Sequence, residues 1–179
     1  NGVAFAVAGL THLTRDHLDY HGTLEAYAAA KRRLFHDHQP GRAVLNLDDA
    51  FGRALAAERR GSTEVIAYGL GERPVHADRF VWGEDLALTP AGLRLRIRSS
   101  WGDGELSAGL LGRFNASNLL AALATLLALD LSLPEALARL TRTATVPGRM
   151  ERLAGGPNRP LAVVGRDTRS SALPPGEVG

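Results

Sequence analysis

The segment Thr14-Arg15-Asp16-His17-Leu18-Asp19-Tyr20-His21 packs two carboxylates and two imidazoles into eight residues. Such density suits a hard cation, with carboxylate oxygens and one imidazole as ligands or as support for them. His17 and His21 stand four apart, which on a helix puts both on one face, as in zinc hydrolases. The glutamate of an H-E-x-x-H motif is absent and no third ligand is evident. A polar Asp/His surface turn therefore stands beside the metal reading.

Lys31 is the only lysine among 21 basic residues. At 100° per residue it falls in the middle of a stripe formed by Leu24, Tyr27, Ala28, Leu34 and Phe35, with Arg32 and Arg33 pointing away. A lysine in an apolar face holds its proton less tightly, and the neutral amine is a nucleophile for Schiff-base chemistry or for carbon dioxide. The carbamate formed with carbon dioxide is an anion able to ligate or orient a metal. The alternative is a packed stem that carries its ammonium out to the edge.

Two later segments carry polar side chains at element junctions. Gly112-Arg113-Phe114-Asn115-Ala116-Ser117-Asn118 leads into an apolar helix, so its amides can read a base edge and the helix N-terminus can face an anion. Asn115 or Ser117 as a plain N-cap is the other reading. Arg149, in Pro147-Gly148-Arg149-Met150-Glu151, is either a phosphate clamp on a linker or a surface charge.

The elements that must position these residues alternate. Strands are expected at Phe5 to Leu10, Ala43 to Leu47 and Glu64 to Tyr68, with helices from Thr23, as N-cap, to His36 and from Phe51 to Arg60. This β-α-β-α-β order predicts an α/β fold, a parallel sheet flanked by helices, with the Asp/His segment in the loop after the first strand. From 75 to 111 the pattern becomes two-residue alternation, as in Leu93-Arg94-Leu95-Arg96-Ile97-Arg98, which predicts a small antiparallel β insertion with one wet face. Its arginines are read as a solvated face, with an acidic partner as the competing reading. A helix follows from Ala116 to Leu129, and Ser132-Leu133-Pro134-Glu135 has the spacing of a capping box opening another, to about Arg142. Met150 to Leu153 and Leu161 to Val164 are expected strands after the linker Val146-Pro147-Gly148, and 165–179 is Pro/Gly-rich and polar.

Composition narrows the function classes. The 179 residues are 45% hydrophobic and 22% charged, ordinary globular usage, and the net charge of +2 is too small for a phosphate-backbone grip. Without cysteine there is no disulfide framework, zinc ribbon, iron–sulfur site or thiol nucleophile. No apolar run reaches the roughly 20 residues that span a bilayer. The opening Asn1-Gly2-Val3 has no initiator Met and no charged signal head, so an internal start is expected.

Taken in order, Thr11-His12-Leu13-Thr14-Arg15-Asp16-His17-Leu18-Asp19-Tyr20-His21-Gly22-Thr23 with Ala28-Ala29-Ala30-Lys31, then the 112–122 segment, then Val146-Pro147-Gly148-Arg149-Met150-Glu151 resemble the Mur ligase family. Within it the likeness is greatest to the ligases that add the third residue of the peptidoglycan stem peptide. The resemblance implies a cytoplasmic ATP-dependent ligase acting on UDP-N-acetylmuramoyl-dipeptide and an amino acid, Lys or diaminopimelate, with no nucleic-acid or membrane partner. A substrate carboxylate attacks the γ-phosphate of ATP, and an amine displaces the phosphate of the resulting acyl phosphate. It also implies that Lys31 is carbamylated and helps hold magnesium, that His17 is a magnesium ligand and that Asp16 supports the metal and substrate site. Asn115 and Asn118 match the family's ATP-site asparagines, and Arg149 its phosphate-facing arginine.

On this resemblance, residues 1–146 are part of the central ATP-binding domain, and 147–179 are the linker and truncated start of a C-terminal α/β ligase domain. The family's P-loop would lie upstream of Asn1, so the chain alone is expected not to turn over ATP. His12 stands where the family usually has Asn. After Leu161-Ala162-Val163-Val164 the family continues with Asp-Tyr-Ala-His, whereas Gly165-Arg166-Asp167-Thr168 stands here, as a frame change or assembly break would give. Two competing readings are a folylpolyglutamate synthetase-like ligase and a non-catalytic anion-binding module built on the arginine-rich insertion.

Overall fold

A computed structural model describes residues 4–13, 24–58, 62–71 and 77–143, with Leu24 by its backbone alone, and the backbone of strands Glu151–Leu153 and Ala162–Val164. The expectations for 14–23, for the linker 144–150 and for 165–179 lie outside the described residues. The chain divides into two compact units, Asn1–Thr143 and Ala144–Gly179.

In the first unit β1 (Val7–Leu10), β2 (Arg42–Asn46), β3 (Glu64–Gly69) and β4 (Arg79–Thr89) run parallel, each hydrogen-bonded to the next. Helix α1 (Leu24–His36) connects β1 to β2, and α2 (Ala50–Ala57) connects β2 to β3. The antiparallel segment expected over 75–111 is β4 followed by β5 (Gly92–Ser99) and β6 (Gly102–Ala108). It is continuous with the main sheet, because the first residues of β4 pair with β3, Ile66 opposite Arg79 and Gly69 opposite Trp82. The strand order along the six-stranded sheet is the order along the chain.

Side-chain alternation divides the core into two clusters. Ala43, Leu45, Val65, Ala67 and Trp82 face Phe35 of α1 and Leu55 of α2. Val44, Ile66, Tyr68, Val81, Leu93, Leu95 and Ile97 face helices α3 (Arg113–Ala128) and α4 (Leu133–Thr141). Strands β2 and β3 are covered on both sides, which is why their sequences read as unbroken apolar runs. On β5 only one face is covered. Leu93, Leu95 and Ile97 are buried, while Arg94 and Arg98 pair with Glu105 and Asp103 of β6 at 3.2 and 3.1 Å.

Helix α3 buries Ala116, Leu119, Leu120, Leu123, Ala124 and Leu127 in one stripe, a spacing of three and four that lays it along the sheet. It begins at Arg113 rather than Ala116, with Gly112 as the N-cap. Gly112 has φ 88, a conformation L-residues avoid, so neither Asn115 nor Ser117 caps the helix as one reading proposed. At its other end the Leu131 amide donates to Leu126 O and the Asp130 amide to Leu127 O, a Schellman closure with Asp130 at φ 64 in the usual glycine place. Arg42 of β2 closes the same end: its guanidinium donates to Ala128 O and pairs with Asp130 at 2.9 Å. The hydrogen bond to Arg42 holds the Asp130 carboxyl below the usual range, and Asp130 in turn raises Arg42 further. Glu64 continues the chain of charges, accepting from Arg42 at 3.1 Å and from Arg79 at 2.7 Å.

Ser132 is the N-cap of α4 with Pro134 in the first turn, but its hydroxyl makes no capping bond, and Glu135 pairs forward with Arg139 at 2.7 Å. The expected capping box is thus a favourable first turn without the reciprocal bonds. In the second unit β7 (Glu151–Leu153) and β8 (Ala162–Val164) form an antiparallel pair, Arg152 opposite Val163.

Leu120 is fully buried, so Leu120→Ala is expected to cost about 2–5 kcal/mol in urea unfolding followed by circular dichroism. Leu129, 51% exposed, provides the contrast: Leu129→Ala should stay within about 0.5 kcal/mol.

Candidate functional site at the carboxyl edge of the parallel strands

Strands β1, β2 and β3 end at Leu10, Asn46 and Gly69, on one edge of the sheet. Loops leaving such an edge carry backbone groups that the ladder no longer satisfies. Here side chains take them over. Asn46, 6% exposed, donates from Nδ2 to Thr11 O at 2.6 Å and accepts the Asp48 amide at 3.0 Å. The Asp48 carboxylate accepts the amides of Leu70 and Gly71 at 2.7 and 2.9 Å. Asp49 caps α2 with Oδ1, accepting Phe51 N at 2.9 Å and Gly52 N at 3.0 Å, and its Oδ2 accepts Leu13 N at 3.3 Å. Gly52 is required there, since a Cβ would collide with the Asn46 carbonyl.

Tyr68 completes the set from β3. Its buried hydroxyl donates to Leu10 O at 3.1 Å. Burial pushes its pKa well above the ordinary 10.0, and the carboxylates of Asp48 and Asp49 push it in the same direction. Trp82 of β4 donates from its indole to Gly71 O at 2.7 Å, holding the far side of the same edge.

Helix α3 brings Asn115 and Asn118 to this edge. Its last turn is held by Arg42 at the opposite, amino-terminal end of β2. At ~1.5 Å per residue its 16 residues run ~24 Å back along the sheet. The packing agrees, since Leu120 and Leu70 both lie over Gly83. Asn115 is half-buried and donates from Nδ2 to Leu111 O at 2.8 Å, whereas Asn118, three residues on, is exposed. The amides thus lie on one side of the first turns of α3, where aligned backbone N–H groups favour an anion.

Lys31 differs from its expected environment. It is only partly buried, and its Nζ lies 4.8 Å from the centroid of the Tyr27 ring. Arg32 does not point away: it lies over the Phe51 ring and forms a bidentate pair with Glu58 at 2.6 and 2.9 Å. Phe51 and Glu58 thus hold Arg32 half-buried beside the buried Phe35, while Arg33 is left outside with Asp37. Among the described residues no group of three or more His, Asp or Glu is placed to hold a metal ion. Of the residues expected to hold magnesium, only Lys31 is described. Ammonium is no ligand, so Lys31 would hold a metal only as a carbamate, and its partial exposure leaves the amine open to carbon dioxide. Asp16, His17 and Arg149 lie outside the described residues.

The sequence reading passed over Asn46-Leu47-Asp48-Asp49, although an Asn and two Asp directly after a buried strand and before a helix carry a capping signal. Tyr68 carried no such signal, because a tyrosine at the end of an apolar strand reads as core.

Tyr68→Phe is expected to lose about 1 kcal/mol in urea unfolding at neutral pH. Because the folded state raises the Tyr68 pKa, the stabilisation is complete below 10.0 and is lost as pH rises above that value. The variant should show a shallower fall in stability than the parent between about pH 9.5 and 11.

Known proteins place this arrangement in a family. The Mur ligase middle domain matches residues 1–126. The "UDP-N-acetylmuramoyl-L-alanyl-D-glutamate--2,6-diaminopimelate ligase" of Alkalilimnicola ehrlichii is 48% identical over 163 residues, 91% of this chain and 32% of that protein. The protein of the same name from Chromobacterium violaceum is 47% identical over 165 residues, 92% of this chain and 32% of its own length. The chain therefore spans about a third of these curated relatives. A solved structure of a ligase of that name superposes with a TM-score of 0.74 at 34% identity, covering 87% of this chain and 32% of that one. The chain belongs to the Mur ligase middle domain family.

Proposed function

We propose that this chain is part of an ATP-dependent amide-bond ligase that adds diaminopimelate, as the third stem-peptide residue, to UDP-N-acetylmuramoyl-dipeptide in the cytoplasm. The observation that carries the reading is the 48% identity over 91% of the chain to a diaminopimelate ligase. The geometry supports it, because the motif asparagines of α3 and the ends of the parallel strands share the edge where α/β sheets bind ligands. The anion-binding alternative is weakened, since two of the three arginines of β5, Arg94 and Arg98, are paired with Glu105 and Asp103 across the hairpin.

In this reading the γ-phosphate of ATP passes to the substrate carboxylate, and the diaminopimelate amine then displaces phosphate from the acyl phosphate, forming the amide. Magnesium, when bound, offsets the charge gathered on the phosphates. Asn115 and Asn118 hold the nucleotide, and Arg149 holds its phosphates. The neutral amine of Lys31 adds to carbon dioxide at Nζ and loses one proton to become a carbamate, which with His17 would hold the metal while Asp16 would support both.

The test is ligation by the full-length protein with ATP, magnesium and the UDP-linked dipeptide. Product is expected with diaminopimelate, and product with lysine alone, or none, overturns the reading. Lys31→Ala should lower the rate by about a hundredfold or more, with no recovery in added bicarbonate. Asn115→Ala should raise the KM for ATP more than it lowers kcat.

A further inference from the structure

The carboxyl end of α3 is fixed by a charged side chain far from the asparagines at its amino end. Arg42, the first residue of β2, donates from Nη1 to Ala128 O and pairs through the same nitrogen with Asp130 at 2.9 Å, while its Nε donates to Glu64 at 3.1 Å. Asp130 takes the left-handed backbone that closes the helix, φ 64, where glycine would be less strained. What aspartate brings to that position is the carboxylate that meets Arg42. Glu64 in turn holds Arg79, whose guanidinium lies 4.9 Å from the centroid of the Trp101 ring. The end of α3 is thereby tied to the starts of β2, β3 and β4.

The apolar contacts of α3 select one alignment less sharply. Every buried position from 116 to 128 is Ala or Leu. A stripe of like side chains repeating every three or four residues packs almost as well after a small slide along the sheet, whereas a directional polar contact is satisfied at one alignment. We infer that Arg42 is a positioning residue for the nucleotide: by holding Ala128 and Asp130 it sets the alignment of α3 on the sheet, and with it the place of Asn115 and Asn118. The inference rests on the proposed function, in which those asparagines hold the nucleotide. They lie ~20 Å from the anchored end, and a helix held at one point carries a shift from one end to the other because its own hydrogen bonds keep its length fixed. Arg42 touches no ligand in this account, so its loss leaves the reacting groups unchanged and weakens only how well the asparagines meet the nucleotide.

The experiment compares wild type, Arg42→Met and Arg79→Met in the full-length protein, reading ligation kinetics against ATP and amide hydrogen exchange at Leu131, whose amide closes α3 on Leu126 O. In Arg42→Met, exchange at Leu131 should quicken and the KM for ATP should rise by about three- to tenfold, with kcat at saturating ATP within about twofold. Arg79→Met removes a cation from the same chain of charges without touching α3, and should leave the KM for ATP unchanged. The effect of Arg42→Met should fall below about twofold when both Asn115 and Asn118 are already alanine, because it acts through them. Unchanged exchange at Leu131 in Arg42→Met overturns the anchor. Faster exchange with an unchanged KM, an equal rise in Arg79→Met, or a full effect in the doubly substituted background overturns the role in positioning. A wild type that makes no product overturns the ligase reading instead, and exchange at Leu131 still decides the anchor. If Arg42→Met does not fold, Asp130→Asn keeps a residue that tolerates the left-handed turn, removes the charge that meets Arg42 and is read in the same way.

Discussion

The fold depends on how the backbone is satisfied where the parallel strands stop. A buried strand end cannot leave its amides and carbonyls unpaired, and in this chain one tetrad, Asn46-Leu47-Asp48-Asp49, supplies most of the partners. Because Asp48 and Asp49 reach to opposite sides, the turn after β2 binds the exits of both neighbouring strands and caps α2 as well. Chains leaving three strands are thereby fixed relative to one another before any ligand arrives. Ligand-binding loops on a rigid sheet edge need that condition.

The other end of the sheet is organised by charge. Arg42 closes α3 through the Ala128 carbonyl and joins Asp130 and Glu64, and Glu64 passes the chain of ion pairs to Arg79. Partly exposed pairs of this kind add little stability each, so their consequence is mainly geometric. They anchor the carboxyl end of α3, while burial of its leucines lays the helix along the sheet. Its amino end, with Asn115 and Asn118, is carried to the carboxyl edge of the strands.

Much of the architecture was legible in the sequence, for reasons tied to particular residues. Apolar runs bounded by turn residues located β2 and β3 to within about one residue at each end, because both faces of those strands are buried. The Leu93 to Arg98 alternation located the half-covered β5, and its paired partners on β6 explain why it stays solvated. What stayed hidden depended on the positions of neighbouring elements. A helical wheel put Lys31 in a stripe with Tyr27, Ala28, Leu34 and Phe35, and these side chains are indeed partly or fully buried, but it sent Arg32 outward, whereas Phe51 and Glu58 hold Arg32 half-buried as well. The start of α3 was missed because Gly112, not a polar side chain, takes the cap with a backbone only glycine adopts readily. The Asn46 to Asp49 tetrad was legible as a cap and not as a latch, since its partners at Leu13 and Leu70 lie far off in the chain.

The central claim is that the carboxyl edge of the parallel strands, flanked by the first turns of α3, is where the nucleotide is held. The most direct measurement is photolabelling of the full-length protein with an azido-adenine analogue of ATP in magnesium, followed by peptide mapping. The account predicts label on the peptide containing Asn115 and Asn118, lost in the presence of excess ATP. Competed label confined to the β5 to β6 hairpin, with none on that peptide, would contradict it.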